Sequence, residues 1–361
     1  MKTHNLKKHL AAGISLGALI ITTHAATSVF IEGGSASSSV LYDRATNLFA
    51  GSTFTFHGST RANVVEFVGN STNAALLGYN PITLDINVAN GAIAGLQALI
   101  NHAGGPADTN YAGTILTPSF VDSATSPEAV EIDSVANNLA DLPTYVVPLV
   151  FVKNANFPDL ASVTNLTQRQ ALALETSTNQ VAFFGGTSSN LVYFVGRNSQ
   201  AAVRTEIDYN IFNFGAIITY SNNAANLPVL DTSLDPGYSS ASKVVSAVTA
   251  ITNSIGTVAY QNATAPLVPI AYEGVNYSVT NVINGSYPLW GYEHYYYIPK
   301  GFTGYSGDGA KAVLDVFYNS VTNAQFQSLN NPVFTNNFVP ISALKVTRNF
   351  DGAQITGLGN Y

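Results

Sequence analysis

The chain has 361 residues, of which 46% are hydrophobic and 10% are charged, and its formal net charge at pH 7 is −7. So few Lys and Arg residues exclude a nucleic-acid binder that relies on basic patches, because phosphate contacts require many of them. The absence of Cys excludes disulfides, zinc–thiolate sites and cysteine nucleophiles, while the apolar and aromatic content argues against a disordered chain.

The first 25 residues have the pattern of an export signal. Three Lys residues precede an apolar run over residues 10–21, and small residues ending at Ala25 fit the site that a signal peptidase reads. The run is too short for a stable membrane span. We therefore predict a Sec signal peptide over residues 1–25 and a periplasmic or secreted protein, with an uncleaved anchor as the alternative.

The rest of the chain alternates strand patterns with helix patterns, which indicates an α/β fold. Strands are expected at 28–31, 82–88, 145–152, 191–195, 217–220 and 255–260. Helices are expected at 37–50, 91–102, 167–175, 240–252 and 309–321. Thr167, followed by Gln170, gives the third helix a capping-box start. Pro148 removes a backbone donor from the apolar strand 145–152, so this strand is expected either at the periphery of the sheet or as a crossover.

Two strand patterns, at 145–152 and 255–260, bracket the middle of the chain. A chain that leaves one lobe and returns to it needs two crossing segments, so we predict two lobes. Lobe I is expected to comprise residues 26–146 plus 261–361, and lobe II residues 147–260. Ligands of such folds bind in the cleft, where strand ends and helix N-termini meet.

An ordered series of segments also runs through these elements. It includes VTNLTQRQA at 163–171, VYFVGRN at 192–198 and NGSYPLWGYEHYYY at 284–297. Their order and spacing resemble the phosphate-type substrate-binding proteins of ABC transporters, of which this chain looks like a divergent member. The resemblance covers most of residues 28–350. It implies a type 2 periplasmic-binding-protein fold, in which two α/β lobes joined by two crossing strands close over a tetrahedral oxyanion.

The resemblance assigns part of an anion site to the first loop and to a carboxylate. Ser35 aligns with a hydroxyl donor of the family, and Ser37 and Ser38 are near substitutes. Asp122 keeps the carboxylate that would accept the proton of a hydrogen phosphate, although the Ser that precedes it in the family is missing. Capping of the following helix is the alternative role of the serines, and a helix cap or turn that of Asp122.

The remainder of the implied site lies after the VYFVGRN segment. Arg197 aligns with the arginine that clamps the anion, with a salt bridge as its alternative role. The Ser-Gly-Thr positions of the family hold Ala201, Ala202 and Val203 here, so the backbone from Gln200 to Val203 would have to donate instead. Loss of two hydroxyl donors would weaken an anion site by about 3–6 kcal/mol.

No pattern in the chain indicates an enzyme or a bound metal. His57, His102 and His294 are the His residues after the predicted signal, and their spacing matches no metal motif, so no metal or cofactor is expected. Neither GxSxG nor SxxK occurs, which disfavours a hydrolase. The aromatic run at 287–297 is expected to be a buried strand, with a platform for sugars or peptides as the alternative.

We therefore predict a non-enzymatic, exported solute-binding protein. It would be a monomer with no nucleic-acid partner, would bind a small oxyanion such as phosphate, and would deliver it to the membrane permease of an ABC transporter. The alternative is a surface or extracellular structural protein of the same fold that has lost phosphate binding. A secreted hydrolase of phosphate esters is a third hypothesis, which the lack of a metal motif disfavours.

Overall fold

The computed structural model describes residues 26–58, 63–125, 130, 132–328, 331–349, 351, 353 and 355–357. The predicted signal peptide over residues 1–25 lies outside the described residues. Among those residues, no helix is both long enough and apolar enough to cross a membrane.

Short strands and short helices alternate through the described chain. The strands are β1 (Thr27–Gly33), β2 (Phe54–His57), β3 (Val64–Gly69), β4 (Ile82–Asn87), β5 (Phe120–Ser123), β6 (Ala140–Asn154), β7 (Asn165–Leu166), β8 (Tyr193–Val195), β9 (Tyr220–Asn222), β10 (Pro228–Leu230), β11 (Ser254–Ala259), β12 (Leu267–Tyr272), β13 (Trp290–Tyr297), β14 (Val346–Thr347) and β15 (Thr356–Gly357). The α-helices are α1 (Ser38–Leu48), α2 (Ala92–Ile100), α3 (Gln168–Thr176), α4 (Ala202–Ile211), α5 (Ala241–Ala250), α6 (Val279–Ile283) and α7 (Asp308–Val321).

Eleven of these strands form one mixed sheet. Its order is β2-β3-β4-β1-β5-β13-β6-β11-β8, with β12 beside β6 and β7 beside β12. β1 runs parallel to β4 and β5, whereas β13 is antiparallel to both β5 and β6. Parallel strands joined by helices, with antiparallel strands at the junction, give the α/β architecture that the alternating pattern predicts.

The long strand β6 joins the two halves of the sheet. Up to Pro148 it pairs with β13, and from Leu149 onward it pairs with β11 and then also with β12. The predicted crossover is therefore confirmed, and the alternative of a peripheral strand is wrong, because β6 lies between β13 and β11. Pro148 stands where the partner changes, which is a position that tolerates the loss of a ladder donor.

The five predicted helices are confirmed as α1, α2, α3, α5 and α7, and the capping box of α3 is present. The strand predicted at 217–220 overlaps β9 only at Tyr220. The reason lies in Thr219, whose hydroxyl accepts a hydrogen bond from Gly196 N at 2.7 Å and donates one to Phe194 O. A side chain therefore supplies the contact that a strand backbone would make.

Aromatic residues fill the sheet interior around β6 and β13. Trp290, Tyr145 and Tyr295 are fully buried, and Tyr145 packs edge-on against Phe338 at 4.9 Å between ring centroids. The aromatic run at 287–297 is therefore a buried strand, as predicted, and a flat binding platform there is excluded. The predicted lobe boundaries stay an expectation. β12, which follows the predicted end of lobe II at residue 260, pairs with β6 and β7.

We expect Leu149→Ala, in the middle of β6, to lower the free energy of unfolding by about 2–5 kcal/mol, because it leaves a cavity in a fully buried part of the core. Leu234→Ala is the matched control, since Leu234 is fully exposed and its truncation empties no cavity. Urea unfolding followed by tryptophan fluorescence measures both variants. Equal stabilities would contradict the position of β6 in the core.

Candidate functional site

Four helices begin next to one another at the junction of the two halves of the sheet. The loop before α1 touches the start of α5, where Ala241 N donates to Ser35 Oγ at 3.2 Å. The start of α2 touches the loop before α4, where Ile93 N donates to Gln200 O at 3.2 Å. A Cβ built on Gly34 would lie 3.9 Å from the Cβ of Ala92. The loop before α1 therefore also adjoins the start of α2, which brings all four helix starts together.

None of these four helix starts is capped by its own side chain. The N-cap residues of α1, α2, α4 and α5 are Ser37, Gly91, Ala201 and Ser240, and none makes a side-chain cap hydrogen bond. Of the helices that begin elsewhere, α3 and α6 have capping Thr and Ser hydroxyls, whereas α7, which follows Gly307, has no side-chain cap. The positive ends of four helix dipoles therefore point into one region, which is an environment that favours an anion.

Arg197 lies at the centre of this region and is 2% exposed. Its Nε donates to Tyr238 O at 2.9 Å, its Nη2 to Ser239 O at 2.8 Å, and its Nη1 to Ser35 Oγ at 3.4 Å. Within the described ranges, no carboxylate is close enough to pair with it. Burial lowers the pKa of Arg197 to about 10, which leaves the guanidinium charged at neutral pH. The alternative role predicted for Arg197, a salt bridge, is therefore contradicted for the described residues.

Ser35 holds the centre of the site from the opposite side. Its hydroxyl accepts from both Arg197 and the first N–H of α5, so it occupies a position that an anion oxygen would share. Gln261 Nε2 donates to the carbonyl oxygen of Ala36, next in the loop. These contacts join the α1 loop to elements of the other half of the sheet, so the region between them is closed.

The other predicted residues of the first loop point to different partners. Ser37 Oγ donates to Asp122 Oδ2 and to Gly34 O, while Ser38 Oγ donates to Ser35 O at 3.4 Å. Asp122 is fully buried within β5, so it does not begin a helix. It lies beneath the loop, and burial raises the pKa of its carboxyl to about 7.

The segment from Gln200 to Val203 enters the site as backbone. Gln200 contributes its carbonyl oxygen to α2, whereas Ala202 and Val203 begin α4. Ala201, Ala202 and Val203 are all buried, so no solvent separates them from the loop. The structure thus brings Ser35, Ser37, Ser38, Arg197 and the 200–203 segment together, with Asp122 one hydrogen bond below.

The sequence led to no predicted site residue at the start of α2 or of α5. Gly91 (φ +92°) allows the close approach of α2, because a Cβ there would lie 2.2 Å from Gln200 O. Ala241 supplies the N–H that meets Ser35, and the Tyr238 and Ser239 carbonyls hold Arg197. The small residues Ser239-Ser240-Ala241 at the start of a predicted helix were the available signal for this part of the site.

A buried polar network lies behind the site and connects α4 to β13 and to the C-terminal part of the chain. Glu206 of α4 accepts from the Thr125 hydroxyl at 2.9 Å and lies 3.8 Å from Arg348, with both charged side chains fully buried. Arg348 also stacks over Trp290 at 3.9 Å. His294 lies 2.7 Å from Asp141 and 3.1 Å from Asp351. Burial lowers the pKa of His294, but its hydrogen bonds to these two carboxylates prevail and raise it to about 9.

No group of three or more His, Asp or Glu side chains in the described ranges is arranged to hold a metal ion. A separate cavity of about 870 Å³ is lined by residues that include Tyr209, Phe212, Phe214 and Tyr272. None of the predicted site residues lines that cavity.

Comparison with solved structures identifies the fold. A putative phosphate ABC transporter substrate-binding protein from Clostridium perfringens, solved with bound phosphate, superposes with a TM-score of 0.56 at 15% identity, covering 87% of this chain and 100% of that one. An ABC-type phosphate transport receptor from Vibrio cholerae matches with a TM-score of 0.46 at 14% identity, over 80% of this chain and 98% of that one. A phosphate-binding protein from Stenotrophomonas maltophilia matches with a TM-score of 0.45 at 14% identity, over 87% of this chain and 100% of that one.

No protein-family model matches the chain, and no curated protein matches it in sequence. At 15% identity the superposition with the Clostridium protein shows the fold alone. The chain therefore has the predicted type 2 periplasmic-binding-protein fold, and the predicted resemblance to phosphate-type substrate-binding proteins is confirmed at the level of the fold.

We expect Gly91→Ala to destabilise the protein by about 1–3 kcal/mol more than Gly113→Ala, because the added Cβ collides with Gln200 O. Both glycines have positive φ, but nothing lies within 4 Å of a Cβ at Gly113, so the control isolates the contact between α2 and the 198–201 loop. Chemical denaturation of both variants measures the difference. If the two substitutions lower the free energy of unfolding by the same amount, the close approach of the starts of α2 and α4 is disproved.

Proposed function

We propose that this chain is a solute-binding protein, without catalytic activity, that binds a small tetrahedral oxyanion such as phosphate. The observation that carries the proposal is the buried charge of Arg197, which meets no carboxylate among the described residues and lies among four helix starts without side-chain caps. An unpaired buried charge is costly. An anion that accepts from the guanidinium and from helix N–H groups would remove this cost.

The ligand contacts that we propose come from three segments. Ser35, Ser37 and Ser38 would contribute hydroxyl or backbone donors at the start of α1. Arg197 would contribute a planar fork of donors, and the backbone from Gln200 to Val203 would contribute N–H groups at the start of α4. Asp122, held by the Ser37 hydroxyl, would set which protonation state of the anion is accepted. The serine hydroxyls and backbone N–H groups are neutral donors. Burying them costs less desolvation free energy than burying a cluster of Lys side chains would, so they suit the binding of a monoanion or a dianion.

The biological role that we propose follows from the fold and from the sequence resemblance. The protein would be exported, act as a monomer, close its two lobes around the anion and present the closed form to a membrane permease of an ABC transporter. The Clostridium protein with the same fold was solved with phosphate bound, which supports an anion as the ligand class.

One observation favours a second candidate, a surface or extracellular structural protein that has lost anion binding. The Ser35 hydroxyl already accepts from Arg197 and from Ala241, so these donors are satisfied without a ligand. The absence of hydroxyl groups from Ala201 to Val203 also favours a protein that has lost anion binding. Anion binding would then require Ser35 to turn away from both donors.

Isothermal titration of residues 26–361 with phosphate at low salt separates the two candidates. We expect saturable one-to-one binding, and we expect Arg197→Ala to weaken it at least about tenfold, because each hydrogen bond to a charged partner contributes roughly 1.5–3 kcal/mol. The phosphate affinity of Arg197→Lys should fall between those of the wild-type protein and Arg197→Ala, since lysine keeps the charge and loses the planar fork of donors.

Arg169→Ala is the matched control, because Arg169 is an exposed arginine of α3 outside the site. Sulfate serves as a second anion, and thermal unfolding verifies that each variant is folded. Absence of binding up to millimolar phosphate and sulfate would rule out the oxyanion proposal and favour the structural alternative.

A further inference from the structure

Four polar side chains share one face of three adjacent strands directly beneath the anion loop. In the β5–β13 ladder Asp122 lies opposite Tyr295, and in the β13–β6 ladder Glu293 lies opposite Tyr145. Glu293 and Tyr295 are two residues apart on β13, so they point to the same side of the sheet. Residues directly opposite each other in antiparallel ladders also share a face, so all four side chains meet.

This face is covered by the start of α1. Ser37, the N-cap residue of α1, turns its hydroxyl inward to Asp122 instead of capping its own helix. Gly33, the last residue of β1, pairs with Asp122 in the β1–β5 ladder, and Gly34 N, the first of the loop, donates to Asp122 O at 3.1 Å, so the loop starts directly at Asp122. The polar cluster and the proposed anion site are therefore separated by a single layer of loop residues.

The cluster is fully buried and has few hydrogen-bonding partners. Asp122, Glu293, Tyr145 and Tyr295 are each 0% exposed. Asp122 and Glu293 interact with each other, and Ser37 lies against Glu293 and Tyr145. Beyond these contacts, five oxygen atoms of the cluster have no hydrogen-bonding partner among the described residues: Asp122 Oδ1, both Glu293 carboxyl oxygens and the two tyrosine hydroxyls. Buried polar atoms normally have partners, so this cluster needs an explanation.

The charged groups around the cluster do not neutralise two carboxylates. Arg44 of α1 is the cation near Tyr295, but it is bonded to Asp43. His294, on the opposite face of β13, attracts Asp122, but it lies between Asp141 and Asp351, which share its charge. Asp351 adds a further negative charge near Glu293. Two ionised carboxylates side by side in this interior would repel each other without compensation.

We infer that Asp122 and Glu293 share one proton, and that an anion bound in the loop above draws a second proton from solvent into the pair. The first part stands on the arrangement of the four side chains. The second part rests on the proposed anion site. A shared proton leaves the pair with a single negative charge, so no separate counterion is needed for a second one.

The sign of the coupling follows from electrostatics. A bound anion disfavours the ionised form of a carboxyl beneath it, so it raises the pKa of the pair. Burial raises the pKa of Asp122 to about 7 in the free protein, so the pair loses its second proton as the pH rises through that value. By reciprocity, the contribution of the pair to anion affinity is constant below this pH and falls by up to tenfold for each pH unit above it, until the pKa of the anion complex is passed.

The test has two arms, of which the first needs no ligand. Infrared difference spectra of the wild-type chain at neutral pH should show the C=O stretch of a protonated buried carboxyl, which shifts in D₂O. Other buried carboxyls absorb in the same region, because burial also raises the pKa values of Glu32, Glu175 and Glu206. The component that belongs to the pair should be lost or shifted in Glu293→Gln and unchanged in Asp315→Asn, a control on the exposed face of α7. Identical carboxyl bands in the wild-type protein and Glu293→Gln would overturn the shared proton.

The second arm is titration with phosphate at pH 8 in two buffers that differ in ionisation enthalpy, which gives the protons taken up per anion. The wild-type protein should take up as much as one proton more than Glu293→Gln, and Asp315→Asn should match the wild type. The difference between variants removes the proton that phosphate itself gains or loses.

The outcomes separate this inference from the proposed function. Phosphate binding with equal proton uptake in wild-type protein and Glu293→Gln would overturn the coupling and leave the anion site standing. Absence of phosphate binding would overturn the proposed function and with it the coupling, and the infrared band would then decide the shared proton alone. Asp122→Asn, which removes the other carboxyl, replaces Glu293→Gln if that variant does not fold.

Discussion

The site depends on the burial of the Arg197 charge, which has no counterion among the residues that the structure describes. Backbone carbonyls of Tyr238 and Ser239 orient the guanidinium, but a carbonyl dipole does not neutralise a full charge. Around it, four helices direct their N-terminal ends at the same volume, which adds positive potential. A fold that only needed stability would place a carboxylate here or an apolar side chain of similar volume. The retained charge is best accounted for by an anion that completes the site.

The architecture of the sheet explains how helix starts distant in sequence come together. β1, β5 and the β6–β13 junction lie side by side, so the loop after β1 and the helices of the second half meet at one edge. The same arrangement determines how far the site can open. Glu206 and Arg348 form a fully buried pair behind it, and a motion that drew α4 away from β13 would strand both charges. A hinge motion that opened the site would therefore have to break the contacts of this buried pair as well as the hydrogen bonds between the helix starts.

The sequence predicted those parts of the structure that depend on local pattern. The capping box at Thr167 and Gln170, the apolar run of β6 and the helical spacing of α2 are local signals, and each element was found within a few residues. Arg197 and the serines of the first loop were found through ordered segments that resemble a known family. The contact between Ala241 and Ser35 spans more than two hundred positions in sequence and has no local signal. Glu293 was predicted only as a strand residue, because its partnership with Asp122 is created by the registers of three strands.

The two unusual electrostatic features of the molecule are explained together. Above the α1 loop lies a buried cation without a carboxylate partner among the described residues, and below it lies a pair of buried carboxyls with unpartnered oxygens. Ser37 is the only side chain described here that the loop places between them, and it gives its proton to the carboxylate side. Neither feature can relieve the other directly, because the loop backbone separates them. An anion above and a proton below would satisfy both at once, and the single serine between them would transmit each change in charge to the other side.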